Sequence, residues 1–251
     1  MMSVNALLGI AVPVCITWLL VRKYRVKLST VLIGAGTFFL FALVLESIMH
    51  QLVLKGPHGS AIMGNTLVYA LYGGLAAGVF EETGRFLAMK LFMKKEPSHP
   101  LPGIAYGVGH GGMEMIMVFG VTMISNLVMS AMINTGHTEV LFSQVPEDAA
   151  GQLQAQLDQL QNFSAGAGFI GLWERFSALV LHLGLSMMVW VAVRKGGKWI
   201  WLFPAAIALH AIVDAGVVLL QKSAGMVPIE LIVMSEAIAV SAIGYMVAKK
   251  L

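Results

Sequence analysis

Four groups of ionisable residues stand inside apolar stretches of this chain: Glu81-Glu82-Thr83-Gly84-Arg85, His110 with Glu114, His182, and His210 with Asp214. Carboxylates and imidazoles are the groups that move protons, activate water or ligate a divalent metal. Their spacing is helical. Glu81 and Arg85, His110 and Glu114, and His210 and Asp214 are each at i, i+4, and Glu82 and Arg85 are at i, i+3, so each pair projects from one helix face. Within a pair, one side chain can do chemistry while the other orients it or fixes its charge. Arg85 can commit one of two adjacent carboxylates to an ion pair and leave the other to handle protons, a common general-acid/base arrangement.

The elements that carry these residues are membrane helices. The chain has 251 residues, 58% of them apolar and 12% charged, with a mean hydropathy of +0.81. A soluble domain carries about 25% charge, so this is an all-α polytopic membrane protein. Stretches of about 17–25 or more apolar residues predict a bundle of about seven spans: roughly 4–22, 29–54, 64–93, 102–133, 166–193, 199–221 and 227–248. Basic residues gather in alternate connections, at Arg22 to Lys27, at Lys94 and Lys95, at Arg194, Lys195 and Lys198, and at Lys249-Lys250. The other connections hold Lys55, Lys222 and acids such as Glu139, Glu147, Asp148 and Asp158. Positive loops stay inside, which predicts an external N-terminus and a cytoplasmic C-terminus. The first span is preceded by an uncharged flank and followed by the basic cluster, the wrong polarity for a cleaved signal. Cys15, the single cysteine, has no internal disulfide partner.

Residues 1–251 read as one integral membrane domain, with the polar cluster on spans about 64–221 and an outer-face segment at about 134–165. In that segment Leu153, Leu157 and Leu160 fall at i, i+4, i+7, the pattern of a short amphipathic helix. Counting at about 1.5 Å per residue from the cytoplasmic ends, Glu81, Glu82, His110, His182 and His210 all lie roughly 12–18 Å deep. Four helices thus deliver polar residues to one level. A charged group at mid-bilayer costs roughly 2.5–3.5 kcal/mol on insertion scales, so such residues face a hydrated site. Glycines at 64, 73, 74, 78 and 84 in the third span, and at 103, 107, 109, 111 and 112 in the fourth, predict close helix approach.

At these residues the chain resembles the glutamate-type intramembrane proteases, the superfamily of CAAX prenyl endopeptidases, bacteriocin-processing enzymes and PrsW-type proteases, and within it most closely the YhfC family of bacterial membrane peptidases. The resemblance rests on Glu81-Glu82-Thr83-Gly84-Arg85-Phe86, on Tyr106-Gly107-Val108-Gly109-His110-Gly111-Gly112-Met113-Glu114 and on His210-Ala211-Ile212-Val213-Asp214, in that order on separate helices, and covers about residues 64–221. The CAAX enzymes have three residues between the second Glu and Arg where this chain has two, a Phe where Tyr106 stands, and an Asn where Asp214 stands. The short first motif and Glu114 are more similar to YhfC and PrsW-type members.

The resemblance implies an endopeptidase acting on a membrane-embedded or membrane-proximal peptide bond in the bacterial cytoplasmic membrane, with Glu81 and His110 activating water and His210 and Asp214 stabilising the oxyanion. It makes Glu82 and Arg85 a structural or charge-setting pair. Its substrate would be a peptide or membrane protein within the lipid bilayer, with no role for nucleic acid. Metal dependence stays open. His110, Glu114, His182 and His210, with Glu81 or Glu82, are ligand types suited to zinc, there is no His-Glu-x-x-His motif, and the superfamily has been described both as metalloproteases and as metal-independent. His182 reads either as a ligand or as a packing histidine. Glu174-Arg175 reads as an interfacial ion pair, and so do Glu46 with His50, and Glu230 and Glu236, as groups near interfacial water. The rival classes are an ion- or proton-coupled transporter using the same Glu/His/Asp residues as a relay, and a non-catalytic membrane scaffold. No inverted repeat of broken helices supports the transporter.

Overall fold

The apolar stretches fold as helices at nearly the expected boundaries. The computed structural model describes residues 1–146 and 149–251; Glu147 and Asp148, two of the acids expected in the outer segment, lie outside the described residues. Among the described residues all regular structure is helical. The elements are α1 (Met2–Arg22), α2 (Leu28–Leu54), the short α3 (Gly59–Gly64), α4 (Thr66–Phe92), α5 (Pro100–Asn134), the short α6 (Thr138–Phe142), α7 (Ala150–Gln161) and α8 (Ala165–Lys195). A 3-10 turn at Gly197–Trp201 then leads into α9 (Leu202–Leu220), and α10 (Met226–Ala248) follows.

Six of these are long and apolar enough to cross a membrane: α1, α2, α5, α8, α9 with its leading turn, and α10. The chain is an integral membrane protein. The seventh expected span, α4, is one continuous 27-residue helix, about 40 Å long. Glu81, Glu82, Arg85 and Lys90 make it too polar to be counted with the other six. Its start is set by Asn65, whose side chain accepts from the backbone N–H of Leu67 and Val68 at 3.0 and 3.2 Å. α7 falls where the leucine spacing predicts it, burying Leu157 and Leu160.

α8 is the central post. In its most apolar stretch 72% of the residues are buried, against 17–28% in the other five spans, and Leu185, Val189 and Trp190 on it are completely enclosed. α4 packs on α9, α2 on α5, and α8 on both α5 and α10. Two of these approaches depend on glycine. A Cβ at Gly109 would stand 1.9 Å from the carbonyl oxygen of Val31, and one at Gly74 would stand 2.4 Å from that of Ala211. The first contact lets α5 lie against α2; the second brings the polar turn of α4 beside His210.

Two π-helical stretches interrupt otherwise regular helices, Phe39–Glu46 in α2 and Met115–Val121 in α5. Such segments collect at functional sites. The first ends on Glu46 and the second begins directly after Glu114.

The expected segregation of charge also appears in space. Lys27 pairs with Glu96 at 2.8 Å, Arg194 donates to the carbonyl of Lys94 and to Ser98, and Lys195 donates to the carbonyl of Lys250. These contacts gather the four basic segments at one end of the bundle.

The glycine contacts carry a test. Gly109→Val forces a side chain into a backbone carbonyl and is expected to cost about 1–3 kcal/mol or more. Gly73→Ala, on a face with no neighbouring atom within 4 Å, is expected to leave stability unchanged or slightly raised. Unfolding temperatures of the two variants in detergent, compared with the parent chain, check both.

Candidate metal centre

Arg85 sits at the bottom of the site and is completely buried. Its Nη1 donates to the carbonyl of His182 at 3.1 Å and to Ser186 Oγ at 3.0 Å, its Nη2 donates to His182 Nδ1 at 2.9 Å, and its Nε stands 3.3 Å from Glu82 Oε2. One guanidinium therefore ties α4 to α8 and fixes two other side chains. Glu82, equally buried, accepts from His210 Nδ1 at 2.9 Å. That bond places the ring proton of His210 on Nδ1 and leaves Nε2 free to act as a ligand, the usual arrangement of a carboxylate behind a metal-binding histidine.

Glu81, one residue earlier, points elsewhere. Its Oε2 accepts from His110 Nε2 at 2.8 Å and lies 3.9 Å from His182 Nε2. Arg85 has only donors to offer, so His182 Nδ1 accepts and His182 Nε2 carries the proton, which it donates to Glu114 Oε2 at 2.6 Å. Glu114 Oε1 in turn accepts from Arg175 Nη1 at 2.6 Å, and Arg175 also holds the neighbouring Glu174. Asp214 lies 3.5 Å from His210 Nε2 with 39% of its side chain exposed.

The ligand atoms of Glu81, His182 and His210 all lie within 4.8 Å of one another, and all three residues are buried. Two histidines and a carboxylate make a donor set found in catalytic zinc sites. The residues themselves test the fit. Glu81 and His210 present free acceptor atoms as they stand. His182 Nε2 carries the proton it donates to Glu114 while Nδ1 accepts from Arg85, so this ring would join the set with its proton moved to Nδ1 and the Arg85 contact to Nδ1 released.

The cluster forms the floor of a cavity of about 100 Å³ whose walls include Glu114, Glu174, Arg175, Ala178, Leu181, Val213 and Asp214. At about 30 Å³ each, it has room for roughly three waters. Larger cavities of about 420 and 410 Å³ open between α5 and α7 and between α2 and α4, but neither is lined by a titratable side chain.

The fold thus brings Glu81, His182 and His210 together and sets Glu114 and Asp214 in the walls of the same cavity. Glu82 and Arg85 lie behind it. His110 is linked to the cluster through Glu81, and its Nδ1 is buried without a partner. Arg175 and Glu174, read from the sequence as an interfacial pair, belong to the cavity wall. The signal for Arg175 was the spacing of Arg175, Ala178 and His182, at i, i+3, i+7 on α8, which places them on one face. Glu46 and His50 form a separate cluster, with His50 Nε2 3.2 Å from Glu46 and His50 Nδ1 2.8 Å from Tyr72 Oη.

Comparison with known proteins identifies the family. The profile of the YhfC intramembrane metalloprotease family matches residues 8–239. The membrane protein YhfC of Bacillus subtilis (strain 168) is 38% identical over 202 residues, covering 80% of this chain and 76% of the relative. No solved structure matches the chain.

The buried pair of Glu82 and Arg85 is expected to be indispensable to the fold as a pair. Removing one partner of a buried ion pair costs about 3–5 kcal/mol because the other charge is left uncompensated. Arg85→Gln is therefore expected to destabilise strongly, and Glu82→Gln/Arg85→Gln to cost less than the two single changes added together. A double-mutant cycle on unfolding in detergent measures the coupling.

Proposed function

The chain belongs to the YhfC family of intramembrane metalloproteases, and on that premise we propose that it hydrolyses a peptide bond in a membrane-embedded or membrane-proximal substrate at the Glu81/His182/His210 cluster. The observation that carries the reading is the convergence of those three ligand atoms, each on a different approach to the cavity floor, within 4.8 Å. Zinc is the metal this donor set suits, held by Glu81, His182 and His210. When bound, it would supply Lewis acidity to a carbonyl oxygen or to a water molecule.

The chain's own groups then divide the work. His110 donates to Glu81 and fixes which carboxylate oxygen faces the cluster. Glu82 holds the His210 ring through Nδ1, and Arg85 holds Glu82. Glu114 accepts from His182 Nε2 and holds that ring in place. Among the described residues lining the cavity, Asp214 is the carboxylate with no hydrogen bond of ordinary length, since Glu81, Glu114 and Glu174 each accept one. Asp214 is accordingly the general base: it takes a proton from the attacking water and returns it to the departing amine. This reading moves Glu81 and His210 from the proton-handling and oxyanion roles implied by the resemblance to metal binding, and moves Asp214 to the base.

Seven spans, with α4 among them, and the basic end of the bundle in the cytoplasm complete the reading, because the four basic segments meet at that end. The cavity walls Arg175 and Val217 lie on the other side of the cluster along α8 and α9, so the site faces the outer half of the membrane.

Purified wild-type chain is expected to carry one zinc per molecule and to generate new peptide termini in membranes that express it. Glu81→Gln and His182→Ala are expected to lose both the zinc and the termini at equal abundance. Glu82→Gln, which also costs stability by leaving Arg85 uncompensated, is expected to bind zinc about 10–100-fold more weakly per folded molecule. Elemental analysis together with a comparison of membrane peptide termini decides the matter, and full cleavage by metal-free Glu81→Gln would sink the proposal.

A further inference from the structure

We infer that Arg175 is a catalytic residue, the side chain that donates hydrogen bonds to the oxyanion formed when the peptide carbonyl is attacked; the inference rests on the peptidase reading above. Hydrolysis of an amide places negative charge on the carbonyl oxygen, and donors aimed at that oxygen are commonly worth about 10²–10³ in rate each. A donor in the cavity wall would act on that oxygen beside whatever Lewis acidity a bound metal supplies.

The polar residues that line it are Glu81, Glu114, Glu174, Arg175, His182, His210 and Asp214. Ionised carboxylates only accept. His210 spends its Nδ1 proton on Glu82 and turns Nε2 to the cluster. His182 receives Arg85 on Nδ1 and sends Nε2 to Glu114. Arg85 itself does not line the cavity. Among the described residues in the walls, the donor left over is Arg175. A guanidinium has five N–H groups in a fixed fork. Glu114 and Glu174 take one each through Nη1 and Nη2, so three remain. The two acids aim the fork as well as balance it, since the side chain is held from both sides with only 13% of its surface exposed.

The oxygen of water bonds to the carbonyl carbon while its proton passes to Asp214, and the carbonyl π pair moves onto oxygen, where the Arg175 N–H groups meet it. Collapse re-forms the C=O bond, breaks the C–N bond and sends that pair to nitrogen, which takes the proton from Asp214. Arg175 keeps its own protons throughout, as a guanidinium must. Glu114 and Glu174 are then positioning residues, acting through the orientation of Arg175.

The test uses the full-length chain in detergent micelles with fluorescein-labelled casein as substrate, and records kcat, KM, zinc content and unfolding temperature. Arg175→Met is expected to lower kcat about 100-fold or more with KM and zinc content near wild type, and Arg175→Lys to lose less. Arg175→Ala is expected to regain activity on addition of guanidinium ion, a response that loss of a merely structural contact would not show. An Arg175→Met chain that keeps its zinc and its kcat within threefold of wild type overturns the assignment alone. So does a parallel loss of zinc, unfolding temperature and kcat in all three variants without guanidinium rescue. A wild-type chain that neither holds zinc nor cleaves casein overturns the peptidase reading and this assignment with it.

Discussion

A charge that leaves water for the interior of an apolar bundle must find a counter-charge or a hydrogen bond, and the architecture of this protein follows from meeting that demand around Arg85. No water is available to a residue enclosed on every side, so the guanidinium must be satisfied by protein: the carbonyl and ring of His182, the hydroxyl of Ser186 and the carboxylate of Glu82. Each partner then has its own orientation fixed. Glu82 is positioned to receive His210, and His182 to reach Glu114, which receives Arg175 in turn. Orientation passes outward from one buried cation through two helices and ends at the cavity wall. Desolvating these groups is costly. What the network provides in return is a floor of three ligand atoms held by side chains that have no alternative partners.

The backbone makes room for this by close approach. Gly74 lets α9 lie near enough for His210 to reach Glu82, and Gly109 seats α5, which carries His110, against α2. A larger side chain at either position would push the paired helices apart. Of the two π-helical stretches, one ends at Glu46 and the other starts after Glu114, and a widened turn changes the direction in which the following side chains leave the helix.

Much of this was legible in the sequence, for a physical reason. Apolar length fixes where helices lie, and the positions of Glu81, His110, His182 and His210 within those lengths fix a common depth before any packing is known. Helical spacing tells which residues share a face. It does not tell which faces meet. Glu46 and His50 have the same i, i+4 relation as His210 and Asp214, yet they turn to Tyr72 and form a cluster of their own. Glu81 and Glu82, adjacent in sequence, leave α4 about 100° apart and serve different histidines. No spacing rule could assign His110 to Glu81 and His210 to Glu82, because those pairings depend on the crossing of three helices. Glu174-Arg175 reads as an interfacial ion pair from its place near the outer border; only the tertiary fold brings Glu114 to the other side of Arg175.

The division between Glu81 and Glu82 explains why this motif needs two carboxylates. A single one could not both present an oxygen to a metal and accept from the histidine that must be held beside it, since the two directions diverge around the helix. With two, the inner carboxylate is spent entirely on structure, paired to Arg85 and His210, and the outer one is left to face the cluster with His110 steadying it. The same logic repeats one shell further out. Glu114 and Glu174 both accept from Arg175, and Asp214, 3.5 Å from His210 Nε2, is the wall carboxylate to which the proposed hydrolysis gives the proton exchange. A polar cavity in an apolar bundle works because most of its charges are committed to holding a few uncommitted ones in place.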